Sequence, residues 1–166
     1  MIGQPLPRRE DQRLITGRGQ YTDDMDLPGQ AWAAFARSPH AHARIVAIDT
    51  RAARAMPGVL AVLTGQDYAD DGYRGIDHVP NPIDAVDPKA KAFTRSSTGR
   101  VYERRQWPLS IARVRHVGEA VVMVVAETAH QARDAAEAVE VEYEALPAVV
   151  RADDALAEGA PQLYDD

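Results

Sequence analysis

In "RSPHAHARI", His40 and His42 stand two positions apart between Arg37 and Arg44. On a strand two such imidazoles share a face, and His-x-His in that geometry can chelate zinc. A catalytic zinc site needs a third protein ligand, and His78, His116 and His130 stand at no recognisable spacing from the pair. Pro39 favours a turn here over a strand interior. The stretch therefore reads as a polar connection whose histidines bond to local backbone.

Other chemistry-bearing residues fare no better. His130 precedes Asp134 by four positions, a helical pairing worth a few tenths of a kcal/mol. No serine sits in a Gly-x-Ser-x-Gly elbow. "TGRGQYTDD" holds glycines without the preceding strand and following helix of a phosphate loop. Asp23, Asp24 and Asp26 resemble a calcium cluster, but no Gly-and-Glu loop follows, so "TDDMDLPG" reads as a turn before the first strand. Arg95, Arg100, Arg104, Arg105, Arg113 and Arg115 surround Trp107. That basic stretch suits a phosphate-bearing ligand or an acidic partner, or simply pairs with local acids. The chain has no cysteine, which excludes disulfides, a thiolate zinc site, a cysteine nucleophile and any iron–sulfur cluster held here. From the residues alone we assign no catalytic, cofactor-binding or metal site.

The elements that would position such groups are legible. The 166 residues suit a single domain over 1–166, with residues 1–30 an extended lead-in marked by "QPLP", "TGRGQ" and "LPGQ". "AWAAFARS" and "ARIVAID" read as two short strands joined by "PHAH". Asp49 or Thr50 caps a helix, "RAARAM", which Pro57-Gly58 ends, and "VLAVLTG" is the next strand. Residues 70–108 show no sustained period and read as a long irregular segment. "IARVRHV" alternates as a strand does, and "AVVMVVAE" is a continuous apolar run expected of a strand buried on both faces. Thr128 and Gln131 form a capping box for "AHQARDAAEAV", whose Ala129, Ala132, Ala136 and Val139 share a face. "VEVEYE" is a half-exposed strand that Leu146-Pro147 breaks. Strand–strand–helix–strand thus occurs twice, and the expected class is α/β (α+β): a mixed sheet with a few helices packed on one side.

The net charge of −6 argues against a nucleic-acid partner. It is also segregated: residues 119–166 carry twelve acids against two bases, a polarity suited to protein neighbours. No apolar run reaches the ~20 residues of a membrane span. "MIGQPLPRREDQRLITG" has no apolar core of a secretory signal, so the expected compartment is the cytoplasm.

"RSPHAHARIVAIDTRAARAMPGVLAVLTGQD" resembles the N-terminal α/β hammerhead domain of the molybdenum hydroxylase large subunits, the family of xanthine dehydrogenase, aldehyde oxidase and aerobic carbon monoxide dehydrogenase. "GQPLPRREDQRLITGRGQYTDDM" is similar too, and looks closest to the carbon monoxide dehydrogenase branch. "VGEAVVMVVAETAHQARDAAEAVEVEYEALPAVV" matches the family's second half, including Tyr143-Glu144 and Leu146-Pro147. The likeness is weakest over residues 70–108. One departure is Gly118-Glu119-Ala120-Val121-Val122, where the family commonly has Gly-Glu-Pro-Val-Ala; both exchanges are apolar and keep a buried strand.

The resemblance implies an oxidoreductase containing molybdenum bound to molybdopterin cytosine dinucleotide. Its iron–sulfur clusters and FAD would sit on partner subunits or domains. The family's catalytic glutamate and cofactor loops lie in later domains, so no catalytic residue carries onto this chain, which ends at "GAPQLYDD" where those domains would begin. It also implies a framework domain whose partners are the molybdenum-binding domains and the iron–sulfur and flavin subunits, inactive alone. Two other readings remain: a stand-alone binding or assembly module of the same fold, and a small metal-dependent hydrolase using His40 and His42.

Overall fold

A computed structural model describes Gly3, Pro5, residues 8–76 and residues 106–164. These fall into two compact units, Met1–Gln30 and Ala31–Asp166. The first holds a short helix, α1 (Asp11–Ile15), and a 3-10 turn at Thr22–Asp24. Asp24 Oδ2 accepts the Tyr21 N–H at 2.8 Å, so this acid caps its own turn.

The second unit contains β1 (Trp32–Arg37), β2 (Ala43–Asp49), α2 (Arg51–Arg54), β3 (Val59–Thr64) and α3 (Gly65–Asp70). After residues 77–105 follow β4 (Arg113–Val114), β5 (Ala120–Ala126), α4 (Ala129–Glu137) and β6 (Glu140–Ala145). Strand–strand–helix–strand therefore does occur twice. The strands form two three-stranded sheets, β1-β5-β3 and β4-β2-β6, and each described pairing is antiparallel. Each half of the chain supplies the central strand of the sheet whose flanks come from the other half. β5 lies between β1 and β3, while β2 lies between β4 and β6.

Hydrophobic patterning explains this arrangement. β5 is the central strand, and its Val121, Val122, Val124 and Ala126 are fully buried, each valine contributing roughly 1.5–3 kcal/mol of burial. Met123 and Val125 are only half-buried, so the run "AVVMVVA" reflects a central position more than two covered faces. One core cluster joins both sheets, with Val62 and Val122 from the first, Ala43 and Val114 from the second, and Ala53 and Ala135 from the helices.

α4 begins at Thr128, whose Oγ accepts the Gln131 N–H. Its buried residues are Ala132 and Ala135 rather than Ala129, with Ala136 and Val139 packed beside them, so the stripe is rotated from the one the sequence suggested. α2 starts where Asp49 Oδ1 accepts the Arg51 N–H at 2.9 Å. The same carboxylate grips the Arg51 guanidinium, which holds its pKa down at about 2. The strand at "IARVRHV" shrinks to two residues, Arg113 and Val114, which pair with Arg44 and Ala43 of β2, while the Ala112 carbonyl accepts the Ile45 N–H at 2.9 Å.

Candidate functional site

His40 and His42 belong to the tight connection between β1 and β2. Ser38 Oγ accepts the His40 N–H at 3.0 Å, the local turn that Ser-Pro-His favours. The His40 ring then packs on Tyr143 of β6, with centroids 5.0 Å apart and planes at 56°. Burial raises the Tyr143 phenol pKa, and the hydroxyl of Ser38 beside it opposes that shift.

His42 is 5% exposed. Its Nδ1 lies 2.9 Å from the Pro147 carbonyl oxygen, which can only accept, so Nδ1 carries the hydrogen. The His42 carbonyl in turn accepts the Leu146 N–H at 2.9 Å. One residue thus fastens the end of β6 at two points. Next to it, Arg44 Nη1 meets Glu144 at 3.2 Å across the β2–β6 pairing. His42 Nε2 is buried with no hydrogen-bond partner among the described residues. The two histidines take separate structural roles instead of converging on one ligand.

His116 and His130 are exposed on different elements, and His78 lies outside the described residues, as do Arg95, Arg100, Arg104 and Arg105. Among the described residues no group of three or more histidine or acidic side chains stands close enough to hold a metal ion.

The basic stretch does contribute to a cleft of about 530 Å³, where Trp107, Arg113 and Arg115 meet Arg37 from β1. Proximity in the sequence did not reveal Arg37, because the β1–β5 pairing brings it there. Its Nη1 donates to the Gly118 carbonyl at 2.8 Å. Arg115 Nε donates to the Leu163 carbonyl at 3.0 Å, and its guanidinium lies 4.5 Å from the Tyr164 ring centre. Glu119 enters the same cleft, accepting the Arg115 backbone N–H and standing 3.5 Å from His116 Nδ1. Among its described lining residues the cleft has arginine cations, and its one serine hydroxyl, Ser110 Oγ, has no hydrogen-bonded base beside it.

A second hollow, of about 450 Å³, lies between the β1-β5-β3 sheet and α3. Phe35, Leu63 and Met123 form its floor, and Tyr68 and Tyr73 one wall. It is apolar and offers binding, not chemistry. Sequence reasoning missed it because α3 was not foreseen, although Thr64-x-x-Asp67 is a helix-start signal.

The chain matches the model of the aldehyde oxidase and xanthine dehydrogenase a/b hammerhead domain over residues 16–147. It belongs to this family. Nicotine 6-hydroxylase large subunit of Paenarthrobacter nicotinovorans is 40% identical over 152 residues, covering 90% of this chain and 16% of that protein. Among solved structures, quinoline 2-oxidoreductase from Pseudomonas putida 86 superposes with a TM-score of 0.77 at 40% identity, over 98% of this chain and 18% of that one. A Cu,Mo-CO dehydrogenase gives 0.71 at 36% identity, over 96% and 17%. The hammerhead chain thus spans less than a fifth of the length of these relatives.

A molybdenum–pterin cofactor requires an enclosure dense in hydrogen-bonding groups. Among the described residues the buried polar side chains are Ser38, His42 and Ser110. Two of them are already engaged with the domain's own backbone. The described residues do not fit the cofactor.

Proposed function

We propose that this hammerhead domain is framework for a molybdenum-containing oxidoreductase. It braces the cofactor domains of a large subunit and contributes contacts to iron–sulfur and flavin subunits, with no redox step of its own. The enzyme as a whole would insert water-derived oxygen into a C–H bond or oxidise carbon monoxide, in the cytoplasm. No helix among the described residues is long and apolar enough to cross a membrane.

One observation carries the reading. "RSPHAHARI" and "YEALP", two blocks at distant points of the matched residues 16–147, are engaged with each other. His42 holds Leu146 and Pro147, and His40 packs on Tyr143. These contacts hold β6 to β2.

Metal analysis and turnover assays on purified residues 1–166, beside the same residues assembled with the molybdenum-binding remainder, test it. Molybdenum and activity are expected only in the assembly. Stoichiometric molybdenum or turnover on residues 1–166 alone would overturn the reading.

A further inference from the structure

The β1-β5-β3 sheet buries one face and leaves the other open among the described residues. Val62, Val122 and Val124 point into the core and are at most 1% exposed. On the opposite face Phe35, Met123 and Leu63 stand side by side in register, Met123 pairing with both neighbours. Phe35 is 41% and Leu63 36% exposed. The next rung on that face, Ala33, Val125 and Ala61, is small and flat.

Beside this floor rises an aromatic wall. Tyr68 and Tyr73 stack with centroids 5.0 Å apart at 30°, and Trp107 meets Tyr68 edge-on at 6.3 Å. Rigid amphipathic rings of this kind anchor protein interfaces, because they bury much area at small entropy cost. Asp71 is the one charged group among the described lining residues, and its carboxylate has no hydrogen bond or ion pair among them.

We propose that this face and hollow seat an apolar segment of the molybdenum-binding remainder of the large subunit, with a lysine or arginine of that segment meeting Asp71. The inference rests on the framework reading and names the surface through which it acts. The occupant follows from length: relatives matching nearly all of this chain are more than five times as long, so most of such a protein lies outside residues 1–166 and is available to cover the face. A contiguous apolar patch with a hollow of this size matches a protein interface better than a solvated surface. A single exposed carboxylate at the edge of an apolar patch favours a cationic group on the partner that covers it.

The test is photo-cross-linking in the assembled enzyme. Leu63 is replaced by p-benzoylphenylalanine, and in a second variant Tyr73, which is 59% exposed at the rim. Only preparations with normal molybdenum content are irradiated, which removes misfolded material, and cross-linked peptides are identified by mass spectrometry. Cross-links into large-subunit sequence outside residues 1–166 are expected from both positions. Cross-links to residues 77–105, to a second copy of the domain or to a flavin or iron–sulfur subunit, or none, overturn the proposal. Asp71→Arg in the same assembly is expected to loosen it about tenfold or more, and Asp71→Glu to leave it within about twofold. If Asp71→Arg assembles normally, the proposed cation contact falls. Any of these failures in an enzyme that assembles leaves the framework role intact; that role falls separately, if residues 1–166 by themselves bind molybdenum.

Discussion

A histidine pair two residues apart invites a metal, and here its job is decided by who sits across the sheet. His42 donates to Pro147 and accepts from Leu146 through its backbone, so its imidazole is a clasp between sequence positions more than a hundred residues apart. The turn was legible, since Ser38-Pro39 supplies the hydroxyl acceptor and the fixed φ. The partner was not, because nothing in "RSPHAHARI" specifies which strand end will lie beside it. Gly65 makes a similar point without polar chemistry. A Cβ there would stand 2.6 Å from the Leu109 carbonyl and 2.8 Å from that of Ser110, both rigid backbone. Gly65→Ala is therefore expected to lower unfolding free energy by about 1–3 kcal/mol, measured by denaturant titration. Gly118→Ala meets no atom within 4 Å and is strained only by its φ of +85°, so its loss should be about 1–2 kcal/mol.

Five of the six strands follow from hydrophobic alternation or apolar runs close to their observed bounds, and the Asp49 cap marks α2, whereas α3 escaped. α3 is six residues long, too brief for a periodic pattern. It is organised by Thr64 and Asp67. The Thr64 N–H donates to Asp67 Oδ2 at 2.7 Å, the Thr64 hydroxyl donates to the same oxygen, and the Asp67 N–H returns to Thr64 Oγ1 at 3.2 Å. Donation from the Thr64 backbone, then from its hydroxyl, holds the Asp67 carboxyl below the ordinary carboxylate range. A group depressed in this way stabilises the fold fully above its unfolded pKa and loses that contribution as pH falls through its folded one. Asp67→Ala should cost about 1 kcal/mol near neutral pH. In thermal melts between neutral and acid pH, the difference from the parent should shrink as the carboxyl protonates. A gap that stays constant on acidification contradicts this account of α3.

At the scale of the molecule, the layout seen twice in the sequence suggested two similar pieces, and the structure shows two halves that exchange their central strands. β5 completes the sheet begun by β1 and β3, and β2 completes the one formed by β4 and β6. Alternation and capping reveal that strands exist, but strand partnership across so many residues leaves no local mark. Neither half can close a sheet alone, so residues 1–76 and 106–166 made as separate polypeptides should each lack cooperative unfolding. Mixed in equal amounts they should regain strand circular dichroism and a single melting transition. Independent folding of either fragment would refute the interlock.

The same exchange of strands dictates an order of events during synthesis. Since translation runs from the N-terminus, β1 and β3 leave the ribosome with the slot between them still empty, and stay so until "AVVMVVA" has emerged. During that interval the nascent polypeptide displays two unsatisfied strand edges rich in alanine, valine and leucine, the kind of surface that chaperones capture and that aggregation exploits. Slowing elongation after residue 64 should therefore lengthen the vulnerable period, while faster delivery of the closing strand should raise the soluble yield.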